Sequence, residues 1–127
     1  MDQDRKLKVL LIEDDVFMVD LLAHEFQTTN YEFVVAKTGK EGVDKYKEVK
    51  PDLILLDILL PDFNGFEALR QIRREPGGPE TKVIVLSNLG EAADLEEARR
   101  LGTQGYLIKA NTSLPEIIEK VRAVLGK

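Results

Sequence analysis

The chain contains no cysteine. Disulfides, thiol chemistry and cysteine-ligated zinc are therefore excluded. It has 1 histidine, His24, so a multi-histidine metal site is excluded as well. His24 falls inside a helical pattern and reads as a surface or boundary residue with no chemistry of its own. Positive charge is not in excess: 18 basic residues face 23 acidic ones, for a net charge of -5. That balance argues against nucleic acid or an anionic membrane as the main partner. Long hydrophobic runs are missing too. The charged start, Met1 to Lys8, is followed only by Val9 to Ile12 before acids appear, too short for a signal peptide or a membrane span. The expectation is a cytoplasmic protein. What remains is globular: 127 residues, 43% hydrophobic and 32% charged, enough for a core without staples. We expect a single domain over residues 1–127, with a core from about residue 8 to residue 125.

Short apolar runs set the pattern. Leu53 to Leu56 runs into Asp57, and Ile58-Leu59-Leu60 follows before Pro61. A continuous run of this kind reads as a strand buried on both faces, with Asp57 at its C-terminal end. Asp is also a common turn starter. Val9 to Ile12 is a second such strand and ends in Glu13-Asp14-Asp15. Asp15 is placed to cap a helix whose face is Val16, Val19, Leu22, Ala23 and Phe26. Glu13 and Asp14 are left over, and their mutual repulsion favours a bound cation; two solvated acids at a helix start are the plainer alternative. Phe33 to Val35 is a third strand. Thr38-Gly39-Lys40 reads as a turn before a helix over residues 41–50, with Val43, Tyr46 and Val49 inward. Asn64 is a plausible cap for a helix through Glu75, and Glu75 to Pro79 is the most loop-like stretch.

Val83 to Leu86 forms the fourth strand and ends in Ser87-Asn88. The helix from about Glu91 to Leu101 turns Ala98 and Leu101 inward and has a thin apolar stripe, so it should be weakly held. Tyr106 to Ile108 is the fifth strand and ends in Lys109. Thr112 or Ser113 caps the last helix, whose face of Leu114, Ile117, Ile118, Val121, Val124 and Leu125 is the cleanest amphipathic pattern here. Strand and helix alternate five times. That implies an α/β fold: a parallel sheet with helices on both faces.

In such a sheet the C-terminal strand ends share one edge, where ligands bind. Glu13 and Asp14, Asp57, Ser87 and Lys109 meet there. The set suits phosphoryl transfer to a carboxylate. In that chemistry Asp57 would be the nucleophile. Asp14, with Glu13 through water, would hold a divalent ion, and oxygen-only ligands favour Mg2+. The ion and Lys109 neutralise charge on the equatorial oxygens. Ser87 donates to one phosphoryl oxygen.

Val9 to Asp15, Pro51 to Asp57, Leu60 to Gly65, Val85-Leu86-Ser87 and Gly105 to Lys109 stand in an order and spacing that resemble the receiver domain of response regulators in two-component signalling. The likeness covers about Lys8 to Leu125 and is nearest to single receiver domains of the chemotaxis-regulator kind. It implies a doubly wound, flavodoxin-like, five-stranded sheet of order 2-1-3-4-5. It implies phosphorylation of Asp57 by a histidine kinase or through a phosphorelay. It implies Mg2+ on Glu13, Asp14, Asp57 and the backbone carbonyl of Leu59. Ser87 and Tyr106 become the switch, and the fourth helix, fifth strand and fifth helix the output face. Partners are then a kinase or phosphotransfer protein and an output protein or domain of unknown identity. In this family phosphorylation often promotes homodimers through the output face. The chain is expected not to be a conventional enzyme, since it promotes only its own phosphorylation and slow dephosphorylation. Two expectations stand side by side: a single-domain regulator acting by direct contact or as a phosphorelay intermediate, or a piece of a longer protein.

Two departures, and two positions that tune attack by water in the family, carry expectations. Ala110 stands where the family has proline; the Lys109-Ala110 bond is expected to stay cis, at a cost of about 2.5–4 kcal/mol. Asn88 replaces a small residue and is expected to narrow access to Asp57. Leu59 and Leu89 offer no polar group to orient an attacking water, so self-dephosphorylation should be slow. The alternatives are a receiver-fold interaction module that is not phosphorylated, a magnesium-dependent phosphatase using Asp57, and a flavin-binding protein. Leu59 stands where the phosphatase needs its second acid. Glu13-Asp14-Asp15 would repel a flavin phosphate.

Overall fold

A computed structural model describes residues 5–126. The strands are β1 (Lys8–Ile12), β2 (Glu32–Ala36), β3 (Leu53–Leu56), β4 (Lys82–Ser87) and β5 (Gly105–Ile108). The helices are α1 (Val16–Phe26), α2 (Gly39–Val49), α3 (Gly65–Arg73), α4 (Ala92–Arg100) and α5 (Leu114–Leu125). Short 3-10 turns occupy Gly78–Glu80 and Lys109–Asn111. The sheet is 5-stranded and parallel, in the order β2-β1-β3-β4-β5, as expected. Among the described residues no helix is long and apolar enough to cross a membrane.

Alternation along the three central strands divides the core in two. Leu10, Ile12, Ile54, Leu56, Val83 and Val85 face α2, α3 and α4, where Val43, Tyr46, Phe66, Leu69, Ile72 and Ala98 are buried with them. Val9, Leu11, Leu53, Leu55, Ile84 and Leu86 face α1 and α5, against Leu22, Phe26, Ile117, Ile118 and Val121. Strand residues pointing to both sides are wholly buried, which is why these strands read as unbroken apolar runs. Each such side chain contributes about 1.5–3 kcal/mol of burial.

Local chemistry sets the helix starts. Asp15 accepts the N–H groups of Phe17 and Met18 to cap α1, and Asn64 accepts that of Phe66 to cap α3. Ser113 and Glu116 form a reciprocal capping box on α5. Most boundaries differ from expectation by a residue or two, α3 ending at Arg73 rather than Glu75, and two of the differences bear on the site. Helix α2 begins at Gly39 because Thr38 caps it and the Asp62 carboxylate accepts the N–H groups of Gly39 and Lys40 at 2.8 and 2.9 Å. Strand β3 stops at Leu56, so Asp57 stands just past it.

Candidate functional site

The strand register places the polar residues. Ile12 pairs with Leu56, and Leu56 with Val85, so Glu13 and Asp57 emerge side by side. Ser87 pairs with Ile108, which sets Lys109 just beyond the same edge. The chain continues in register for one more step: the Asp57 N–H donates to the Ile12 carbonyl at 3.0 Å and the Glu13 N–H to that of Ala36 at 2.9 Å. Both carboxylates thus rise from backbone that is already fixed. Below Asp57 the start of α3 presses on the chain, and a Cβ at Gly65 would lie 2.2 Å from the Asp57 carbonyl oxygen. Only glycine allows that approach.

Glu13, Asp57 and Ser87 are buried, whereas Asp14 is exposed. Lys109 bridges the two buried acids, its Nζ 3.0 Å from Asp57 Oδ2 and 2.6 Å from Glu13 Oε1. The Asp57 contact is a hydrogen bond. The Glu13 contact is a close ion pair. Glu13 Oε2 accepts the Asp15 N–H at 3.1 Å, and Asp57 Oδ1 accepts the Leu59 N–H at 3.3 Å. Burial, aided by the Asp57 charge, pushes the Glu13 carboxyl up to about 7, against the pull of Lys109. The Lys109 ammonium is shifted upward: burial opposes its charge, but Glu13 and Asp57 outweigh that cost.

Glu13, Asp14 and Asp57 each offer an oxygen, all within 4.8 Å of one another. Three oxygens with no sulfur or imidazole suit a hard divalent cation. Beside Lys109 alone the three acids outnumber the cations, and a buried carboxylate calls for compensating charge, so this donor set fits such an ion.

Ser87 and Tyr106 come together through an atom group that their side chains share. Ser87 Oγ accepts the Leu89 N–H at 3.2 Å, and Tyr106 OH donates to the Leu89 carbonyl at 2.5 Å. Burial, with help from the charges of Asp94 and Asp57, pushes the Tyr106 phenol up to about 12. Sequence reasoning singled out Leu89 for its side chain and missed its backbone. The signal was there in the hydroxyl-x-x spacing, because a serine commonly accepts the N–H two residues on. His24 is exposed on α1.

One expectation is corrected. Among the described residues no peptide bond is cis, so Lys109-Ala110 is trans. Alanine lacks the tertiary amide that makes cis cheap. Its N–H is present and is used, donating to Asn88 Oδ1 at 2.9 Å.

The family model for the response regulator receiver domain matches residues 9–122. The chain belongs to that family. The receiver domain is 36% identical over 103 residues to the chemotaxis protein CheY of Thermotoga maritima, covering 80% of this chain and 84% of that one. The response regulator domain of Thermotoga maritima CheB superposes with a TM-score of 0.83 at 34% identity, over 97% of this receiver domain and 98% of that chain. A CheY of Borrelia burgdorferi, solved in a complex with CheX, BeF3 and Mg2+, gives a TM-score of 0.87 at 26% identity, over 99% and 94% of the two chains.

Proposed function

We propose that this receiver domain takes a phosphoryl group onto Asp57 from a histidine kinase or phosphotransfer protein, and that its α4-β5-α5 face then signals to an output partner. The observation that carries this reading is a buried carboxylate held by an ammonium at 3.0 Å, beside two further acids within 4.8 Å. The Mg2+-containing complex of the Borrelia relative supports the assignment of the cation. Glu13, Asp14 and Asp57 would hold Mg2+, with the Leu59 carbonyl adding a backbone oxygen. When bound, the ion supplies positive charge to the phosphoryl oxygens and lessens repulsion among the acids.

The chain's own residues do the rest. An Asp57 carboxylate oxygen attacks phosphorus; the bond from phosphorus to the donor nitrogen breaks, and its electron pair leaves with the imidazole. Lys109, already on Asp57 Oδ2, neutralises charge on the transferred group. The Ser87 hydroxyl turns to donate to a phosphoryl oxygen, and that movement carries its Oγ away from the Leu89 N–H it accepts at rest. Tyr106 holds the other end of that residue, so the β4-α4 loop moves with it. The same face is the proposed contact for phosphorylation-dependent homodimers. The chain catalyses only its own modification, and the apolar Leu59 and Leu89 leave the phosphoryl group long-lived. An interaction module without phosphorylation is the second reading, but it has no use for an intact Glu13, Asp14, Asp57 and Lys109 set.

The test is intact-protein mass after incubation with acetyl phosphate, with and without magnesium. One phosphoryl adduct is expected that requires both magnesium and Asp57. Its survival in Asp57→Asn would mean another acceptor, and no adduct under any condition would favour the interaction module. In the same assay Leu59→Asn should shorten the adduct's lifetime.

A further inference from the structure

Lys109 has to sit between Glu13 and Asp57, yet the backbone beneath it is thinly supported. Strand β5 is an edge strand and all four of its residues are only partly buried. The turn that follows, Lys109–Asn111, has no side-chain cap. Its own closures are the Thr112 N–H on the Lys109 carbonyl at 3.3 Å and the Thr112 hydroxyl on the Ile108 carbonyl at 2.8 Å. Neither ties the turn to the rest of the site.

Asn88 does. It follows Ser87, and Ser87 pairs with Ile108 in the last step of the β4-β5 ladder. One residue further, its Oδ1 accepts the Ala110 N–H at 2.9 Å. A backbone N–H can face only an oxygen, so the carboxamide's orientation is set by this bond. The contact extends the ladder by a side chain where the two main chains diverge. Both residues are exposed, so the bond contributes little to packing, and its effect falls on the residue between the two anchors. A long, flexible lysine is positioned no better than its own backbone.

We propose that Asn88 is a positioning residue for phosphoryl transfer: it fixes the turn that carries Lys109 and thereby keeps the ammonium on Asp57. This rests on the phosphoacceptor reading of the site. It also turns two departures from the family pattern into one device, since the N–H that Asn88 binds exists because residue 110 is not proline.

The test is the rate of phosphorylation by acetyl phosphate at saturating magnesium chloride, with amide exchange at Ala110 followed by NMR on the same proteins. In Asn88→Ala the Ala110 amide exchanges faster and the rate falls about threefold, in keeping with one solvent-exposed hydrogen bond. Magnesium affinity by calorimetry stays within about twofold. A purely structural role would leave the rate of the folded protein unmoved. Asn88→Asp keeps an acceptor oxygen and keeps Ala110 protected. In a Lys109→Gln background the residual rate no longer depends on residue 88, because the group being positioned is gone. An unchanged or faster rate in Asn88→Ala overturns the proposal, a faster one meaning that Asn88 obstructs the donor. Equal slowing with and without Lys109 overturns it as well. No adduct on the unmutated chain is a separate outcome that removes the phosphoacceptor reading, and this proposal with it.

Discussion

Helix α5 buries Ile117, Ile118 and Val121 and opens on a capping box. Helix α4, on the other face of the sheet, buries only Ala98 and has no side-chain cap, while Leu95 is 45% exposed. The sequence pattern already marks α4 as weakly held. The structure shows what holds it instead: two arginines of α3, one turn apart. Arg70 reaches Glu97 at 2.8 Å while also meeting Glu67 at 3.1 Å. Arg73 donates to the carbonyls of Leu101 at 2.9 Å and Gly102 at 3.2 Å, where α4 ends, and to those of Gly78 and Thr81 at 2.6 and 2.7 Å. One helix is fixed by area removed from water and the other by directional polar contacts. The second kind can be exchanged at small cost, which suits a segment of a signalling face.

The contrast can be broken from its strong side first. Ile117→Ala should cost about 2–5 kcal/mol through lost burial and the cavity left behind, seen as a lower denaturant midpoint, with salt making little difference. From the polar side, Arg73→Met keeps much of the aliphatic stem but strands carbonyls at the end of α4 and in the 78–81 loop. A loss of about 1–3 kcal/mol is expected. Hydrogen exchange should rise in α4 and that loop before it rises in α5; uniform exchange across both helices would erase the distinction drawn here. Arg70→Ala is the finest probe. Its ion pairs are partly exposed, so the change should be about 0.2–1 kcal/mol at low salt and vanish near 1 M salt, where screening is nearly complete.

The same contrast explains how far the chain could be read in advance. Apolar runs and helix faces depend on neighbours in sequence, so the five strands, the strand order carried by the resemblance, and the caps at Asp15 and Asn64 were legible, with Ser113 one of two candidates for the last helix. So was the gathering of Glu13, Asp14, Asp57, Ser87 and Lys109, because a parallel sheet brings its strand ends to one edge. Polar contacts across loops were not legible. Nothing local announces that Asp62 will complete the start of α2, that Arg73 will collect four carbonyls, or that Asn88 will bind the Ala110 N–H. The expected cis peptide failed for a local reason instead: a secondary amide before alanine keeps the strong trans preference that proline lacks.

The division of the sheet's side chains between two cores has a consequence for how the chain can change. Leu10 and Leu11 are neighbours in sequence, yet they belong to separate apolar clusters with a layer of hydrogen-bonded backbone between them. Substitutions on opposite faces therefore combine almost additively, while those within one face depend on each other. Each layer of helices can drift or be redesigned as its own compartment. The acids and the lysine lie beyond the strand ends, outside either apolar cluster.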